Sequence, residues 1–157
     1  MRLFVALVLA AGLTLAVASG ASAEVTTPYS GTKSVDTGIP FSAYLKKLTA
    51  AISANKMGVV GTACATCGAR AIGVSIAENR VLMIFAPQFA VRMLKASVAA
   101  GIEAPIRLYV TENADGTARL TYRKPSHVFA PYKVKELDDM ARKLDQIFET
   151  IVAQAGR

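Results

Sequence analysis

The chain has 157 residues, of which 53% are hydrophobic, and its 18 Lys and Arg against 11 Asp and Glu give a net charge of +7. This length suits one domain with one core and is too short for two ordinary domains. The basic excess is scattered in pairs such as Lys46-Lys47 and Arg123-Lys124, without a basic run interleaved with aromatics, which argues against nucleic acid as a partner.

The first 23 residues have the three-part pattern of a cleavable secretory signal peptide. Arg2 supplies the positive charge, residues 3–17 are almost entirely apolar, and Ala21-Ser22-Ala23 supplies the small residues that a signal peptidase requires. The apolar run is shorter than the roughly 20 residues that span a bilayer, so we expect cleavage rather than anchoring. These features predict a periplasmic or secreted protein without a membrane span after cleavage.

After a polar, flexible lead-in at residues 24–32, the chain is predicted to fold as a single domain over residues 33–157. Apolar spacing and turn signals predict the elements in chain order: a short strand at 33–37, a helix at 40–55, strands at 57–63 and 81–85, a helix at 88–100 capped by Gly101, strands at 106–112 and 117–123, and a long C-terminal helix over 137–151. We expect an α+β fold, in which three helices cover mainly one face of an antiparallel or mixed sheet of about four or five strands.

The last two strands are predicted to form a hairpin closed by Ala114-Asp115-Gly116. Its register pairs apolar residues on the face toward the core, Val110 with Leu120 and Leu108 with Tyr122. On the other, solvent-facing side the predicted pairs are Tyr109 with Thr121, Thr111 with Arg119, and Arg107 with Arg123.

Four side chains on this solvent-facing side are the candidates for a ligand site or an interface: Arg107, Tyr109, Arg119 and Arg123. Like charges directly opposite cost stability unless an anion or an acidic partner intervenes, and Glu103 or Glu112 would be such a partner. An ordinary solvated sheet face is the plain alternative. A homodimer through the uncovered face is a further, compatible prediction.

Four stretches in the middle of the chain form a recognisable series: FAPQFAVRML at 85–94, GIEAPIRLYV at 101–110, Asp115-Gly116, and YRKPS at 122–126. In this order they resemble the family catalogued as domain of unknown function 302. The resemblance covers most of the mature chain, from about Phe41 to Tyr132, and implies a compact α+β domain, often exported, with no established enzymatic activity or catalytic residues. Where that family commonly opens its middle helix with Asn-Pro, this chain has Ala86-Pro87.

Cys64-Ala65-Thr66-Cys67 is the sharpest local motif, and two interpretations rest on its sulfur chemistry. In an oxidising compartment the two cysteines are expected to close a small disulfide that pins a turn after the second strand. The alternative is thiol–disulfide exchange, with Arg70 nearby to favour a thiolate. The strand-to-helix context and partnering proline of a thioredoxin-like domain are not recognisable in the sequence.

A third interpretation of the motif is capture of copper or zinc by Cys64 and Cys67. Residues 61–67 superficially resemble the loop of heavy-metal-associated copper domains but lack the methionine that usually precedes the first cysteine. Covalent haem attachment is excluded because Gly68 stands where the C-x-x-C-H motif needs histidine. No cofactor is therefore predicted, with copper or zinc as the alternative.

His127 is the only histidine and lies in a predicted loop at 125–131, so one chain offers neither a two-histidine zinc site nor a histidine relay. No glycine-rich phosphate loop or acidic pair indicates catalysis either. The leading hypothesis is a non-enzymatic periplasmic binding or interaction protein. The alternative is a redox or metal-handling protein that acts through Cys64 and Cys67.

Overall fold

The computed structural model describes residues 29–157, so the predicted signal peptide at 1–23 and most of the predicted lead-in lie outside the described residues. Within 29–157 five strands form one antiparallel sheet, in the order first, fifth, fourth, third, second. The strands are β1 (Thr32–Pro40), β2 (Gly58–Ala63), β3 (Asn79–Phe85), β4 (Ile106–Glu112) and β5 (Thr117–Arg123). β1 is longer at both ends than the predicted 33–37.

Five α-helices and two short 3₁₀-helices connect and cover these strands. The α-helices are α1 (Phe41–Ala54), α2 (Ala65–Ala71), α3 (Pro87–Ala96), α4 (Pro125–Phe129) and α5 (Lys135–Ala155), and the 3₁₀-helices are Ala99–Glu103 and Ala130–Tyr132. The α+β prediction is confirmed, but the prediction of three helices missed α2 and α4. α2 buries only Thr66, and α4 has five residues, so neither shows an apolar stripe at helical period.

The core lies between one face of the sheet and the long helices α1 and α5. In β3, β4 and β5 alternate residues point into it, as the period of a strand requires. The fully buried strand residues include Leu82, Ile84, Leu108, Val110 and Leu120. From α5, Phe148 packs its ring 5.5 Å from that of Tyr122, measured between centroids. None of the helices within 29–157 is both long and apolar enough to cross a bilayer.

The hairpin between β4 and β5 has the predicted register. Val110 lies opposite Leu120, Leu108 opposite Tyr122, Tyr109 opposite Thr121, and Thr111 opposite Arg119. A three-residue loop closes it, because the Asn113 amide donates to the Thr117 carbonyl at 2.8 Å. Gly116 in that loop has a φ of 80°, a left-handed conformation that glycine adopts without steric cost.

The predicted end of the second helix is wrong. α3 stops at Ala96, and Ser97 is extended, with a φ of −159°. Gly101 caps no α-helix and lies within the 3₁₀-helix Ala99–Glu103. The apolar stripe predicted the existence of the helix correctly. Its predicted end was wrong because Gly101 belongs to the separate 3₁₀-helix and not to the C-terminus of α3.

Tyr44 on α1 buries a hydroxyl without a hydrogen-bond partner within the described residues. Its side chain is 1% exposed. A buried hydroxyl without a partner has lost its hydrogen bonds to water and gains none in the protein, which lowers the stability of the folded state. We therefore expect Tyr44→Phe to raise the free energy of unfolding by about 1 kcal/mol at neutral pH, measured by urea denaturation followed by circular dichroism.

The same variant should differ more from the wild type at high pH. Burial, and secondarily Tyr122, raises the pKa of Tyr44 to about 12, whereas an unfolded tyrosine ionises near pH 10. Between these two pH values the folded state keeps a proton that the unfolded chain loses. The contribution of the Tyr44 hydroxyl's protonation to the free energy of unfolding is therefore complete below about pH 10 and is lost as the pH rises toward 12. Tyr44→Phe has no such group to ionise, so its advantage in free energy of unfolding over the wild type should widen above about pH 10. A difference that narrows above this pH would contradict the raised pKa of Tyr44.

Candidate functional site

The face of the sheet opposite the core carries an open depression of about 680 Å³. Side chains of β3, β4 and β5 line it, and the 3₁₀-helix Ala99–Glu103 forms part of its wall. Its lining includes Val81, Met83, Arg107, Tyr109, Thr121 and Arg123 from the strands, with Ile102 and Glu103 from the wall. The depression thus combines apolar side chains, an aromatic ring and charged groups on a rigid sheet.

β3 contributes two apolar side chains, Val81 and Met83, to the lining of this depression. Val81 and Met83 are only half-buried, whereas Leu82 and Ile84 face the core. Val81 lies opposite Tyr109, and Met83 lies opposite Arg107. An unbroken apolar run does not show which of its residues face the open side, so periodicity did not indicate that Val81 and Met83 line the depression.

Arg123 is neutralised within the depression. Its guanidinium lies 4.0 Å from a carboxylate oxygen of Glu103 and 5.6 Å from the centre of the Tyr29 ring. The Tyr132 hydroxyl donates to the other Glu103 oxygen at 3.1 Å, and partial burial together with this bond raises the pKa of Tyr132. Of the two acidic partners that the sequence offered, Glu103 is therefore the one that meets an arginine on this face.

Glu112, the other candidate partner, has a different role. Its carboxylate accepts a hydrogen bond from the backbone amide of Glu78 at 3.1 Å, and its own amide donates to the Glu78 carbonyl at 2.9 Å. It therefore fixes the chain that enters β3 rather than an arginine of the open face.

Arg107 is the unneutralised cation of the depression. It is exposed, and within residues 29–157 it forms no ion pair with a carboxylate. Tyr109, two residues along β4 on the same face, is 42% exposed. A guanidinium with all its donors available and a neighbouring aromatic ring form a chemical pair suited to an anionic group with an apolar body.

Arg119 lies apart from this group. Its guanidinium binds Asp36 on β1 through two bonds of 2.7 and 3.1 Å. Hydrogen bonds from Arg119 and then Asn113 hold the pKa of the Asp36 carboxyl below its ordinary value. The structure thus brings Arg107, Tyr109 and Arg123 together around one depression and commits Arg119 to an ion pair outside it.

Cys64 and Cys67 form a disulfide at the junction of β2 and α2. Cys64 is the residue before the helix, and its Sγ accepts a hydrogen bond from the Cys67 amide at 3.0 Å. The strand-to-helix context that the sequence did not reveal is therefore present. Cys67 is exposed and Cys64 is half-buried.

Arg70, the cation that was expected to favour a thiolate, is paired with Glu78 at 3.1 Å. Glu78 also binds Arg80 at 2.9 Å, so this carboxylate is shared by two arginines. Among the described residues no three His, Cys, Asp or Glu side chains lie close enough together to hold a metal ion.

His127 lies on α4 rather than in the predicted loop, and it is exposed. Gly31 packs directly against its ring, so closely that a Cβ at this position would overlap the ring carbon Cγ. The histidine ring therefore occupies the space over the turn that leads into β1, and its Nδ1 lies 3.4 Å from the Ser126 hydroxyl.

The family model described as domain of unknown function DUF302 matches residues 32–151. The chain belongs to this family. The match confirms the sequence resemblance and extends it at both ends, through β1 and most of α5.

A solved structure has the same fold as this DUF302 chain: the crystal structure of an uncharacterized conserved DUF302 protein from Bacillus stearothermophilus. The two chains are 18% identical, and the similarity covers 80% of this chain and 98% of the other, with a TM-score of 0.73. None of the curated proteins matches this chain significantly. The comparisons therefore establish the family and the fold, and a shared fold does not by itself imply a shared function.

Proposed function

We propose that this DUF302 protein is an exported, non-enzymatic binding protein that takes a small anion with an apolar body in the depression on its open sheet face. The observation that carries the proposal is the exposed, unneutralised Arg107 beside Tyr109 on that face. The signal-peptide pattern of residues 1–23 supports export to the periplasm or the medium, and the Cys64–Cys67 disulfide is consistent with an oxidising compartment.

The size of the depression fits such a ligand. Its volume of about 680 Å³ lies within the range of roughly 300 to 1,000 Å³ that is typical of small-molecule sites. Arg107 would bind a carboxylate, sulfonate or phosphate through two parallel N–H donors, which is the strongest geometry that a guanidinium offers. Val81 and Met83 would contact the apolar body of the ligand, and the Glu103–Arg123 pair would close one side.

The charge distribution favours an anion over a cation. Glu103 is the carboxylate that lines the depression, and both Arg123 and the Tyr132 hydroxyl already engage it. A cation entering here would have to displace those contacts and approach Arg107. An anion meets a free guanidinium without breaking an existing pair.

We expect the fluorescent anion 8-anilinonaphthalene-1-sulfonate to bind the mature protein, and Arg107→Gln to weaken that binding by about tenfold, or 1.4 kcal/mol. The substitution removes the charge and one charge-assisted hydrogen-bond pair while keeping a long polar side chain. Arg92→Gln is the matched control, because Arg92 is an exposed arginine on α3 and does not line the depression. Fluorescence titration of the three proteins at the same ionic strength measures the effect.

Equal weakening by Arg92→Gln and Arg107→Gln would contradict the proposal, since net charge alone would then explain it. Sedimentation velocity addresses the competing occupant, a second copy of the chain on the same face. A wild-type dimer that dissociates on Arg107→Glu and excludes the sulfonate would replace the ligand site with a homodimer interface. Native mass spectrometry of protein recovered from its own compartment then identifies what the depression holds.

A further inference from the structure

The two sulfur atoms of the Cys64–Cys67 disulfide belong to residues with different access to solvent. Cys67 lies in the first turn of α2 and is exposed, whereas Cys64 ends the connection from β2 and is half-buried. A reagent that approaches from solvent therefore meets Cys67 first. Access is one of the factors that set the rate of attack on a disulfide and which of its sulfurs is attacked.

Cys64 has the feature that a leaving sulfur needs. Its Sγ accepts a hydrogen bond from the Cys67 backbone amide at 3.0 Å. A hydrogen bond from N–H becomes stronger when its acceptor gains negative charge, so this contact favours a thiolate at Cys64. Access and leaving-group stabilisation thus point to the same direction of cleavage.

The local structure is held by contacts that do not involve the disulfide. Thr66, between the two cysteines, is 4% exposed. Its hydroxyl donates to the Ala77 carbonyl at 3.1 Å and accepts from the Asn79 amide at 3.1 Å. The disulfide closes a loop of only four residues, so its chain-entropy contribution to stability is small. Opening the disulfide would therefore leave α2 attached to the start of β3.

We infer that this disulfide is a thiol–disulfide exchange site at which an incoming thiolate attacks the sulfur of Cys67. The incoming sulfur forms a bond to Cys67 Sγ, the bond between the two cysteine sulfurs breaks, and its electron pair goes to Cys64. The products are a mixed disulfide on Cys67 and a thiolate on Cys64 that keeps the hydrogen bond from the Cys67 amide.

A second thiolate completes the exchange by attacking the incoming sulfur of the mixed disulfide. Cys67 then leaves as a thiolate, and the two incoming thiols have become one disulfide. The Cys64–Cys67 pair has gained the two electrons and, at equilibrium with water, two protons. This chemistry is independent of the ligand site, because neither cysteine lines the depression.

The test is to treat the oxidised mature protein with millimolar reduced glutathione, quench with acid after short times, and locate the adduct by peptide mapping. We expect glutathione on Cys67 in at least tenfold excess over Cys64, and an unchanged far-ultraviolet circular dichroism spectrum after full reduction. A parallel reaction with a cysteine-containing peptide determines the source of the thiol. A faster reaction with the peptide assigns the natural reactant to a polypeptide, and a slower one assigns it to a small thiol.

Single variants provide the matched controls. Cys64→Ser leaves the exposed thiol and Cys67→Ser leaves the half-buried one, so oxidised glutathione should modify the first variant faster than the second. Adducts divided equally between the two cysteines, or found mainly on Cys64, would overturn the assignment. A wild-type pair that stays fully oxidised in millimolar glutathione would overturn the exchange itself and leave a purely structural disulfide.

Discussion

Phe148→Ala is expected to lower the free energy of unfolding by about 3 to 5 kcal/mol. Phe148 is 1% exposed and lies where α5 packs on the sheet, with its ring 5.5 Å from that of Tyr122. Truncation removes a large, fully buried side chain at this contact and leaves a cavity that the surrounding structure cannot fully close. The free energy of unfolding of a domain of this size is about 5 to 15 kcal/mol, so the variant should lose a large part of its total stability.

Urea denaturation followed by circular dichroism measures this loss. Phe148→Leu keeps most of the buried volume and should cost clearly less than the alanine variant. Val98→Ala, at a side chain that is 80% exposed, should change the free energy of unfolding by no more than about 0.5 kcal/mol. An alanine variant at Phe148 as stable as that surface control would show that α5 does not pack on the sheet as described.

Asp145→Ala is expected to cost about 2 to 3 kcal/mol. Asp145 is 9% exposed, and its carboxylate connects α5 to the start of α4. One oxygen accepts a hydrogen bond from the Ser126 amide at 2.9 Å, and the other lies 3.6 Å from the Lys124 ammonium. Without it, the Ser126 amide at the start of α4 and the partly buried Lys124 side chain both lose their partner.

Two variants separate the contributions at this position. Asp145→Asn keeps an acceptor for the Ser126 amide and loses the charge, so it should be intermediate in stability. Asp139→Ala removes an exposed carboxylate that pairs with Lys135 and Arg142, and exposed pairs contribute about 0 to 1 kcal/mol. The urea midpoint should therefore be highest for Asp139→Ala, intermediate for Asp145→Asn and lowest for Asp145→Ala. Equal midpoints for Asp139→Ala and Asp145→Ala would contradict the role of Asp145 in connecting α5 to α4.

The elements that the sequence predicted correctly are those whose apolar spacing is regular over several turns or pairs. The stripe from Phe41 to Ile52 predicted α1, and alternation on both sides of Asp115-Gly116 predicted β4 and β5 with their register. A one-residue slip in this hairpin would move every apolar side chain to solvent, which is why periodicity alone fixed the pairing. α2 escaped prediction because it buries one residue, Thr66, and the sequence therefore showed only a C-x-x-C turn there.

The partners of the charged residues escaped prediction for a different reason. Arg119 and its partner Asp36 are 83 positions apart, and Glu103 reaches Arg123 from a 3₁₀-helix whose position the sequence did not indicate. The hairpin register placed four candidate residues on one face. Asp36 on β1 pairs with Arg119, and Glu103 on the 3₁₀-helix pairs with Arg123. These two contacts decide that Arg107 is the arginine without a carboxylate partner among the described residues.

The sequence by itself determined the α+β class, the main helices, the hairpin register and the resemblance to the DUF302 family, because each follows from local periodicity or from a short motif in order. The tertiary structure decided that Arg107 forms no ion pair within residues 29–157, that Val81 and Met83 line the same depression, and that Cys67 is more exposed than Cys64. These properties depend on contacts between distant segments and on exposure to solvent. Neither is encoded in the spacing of residues along a strand or a helix.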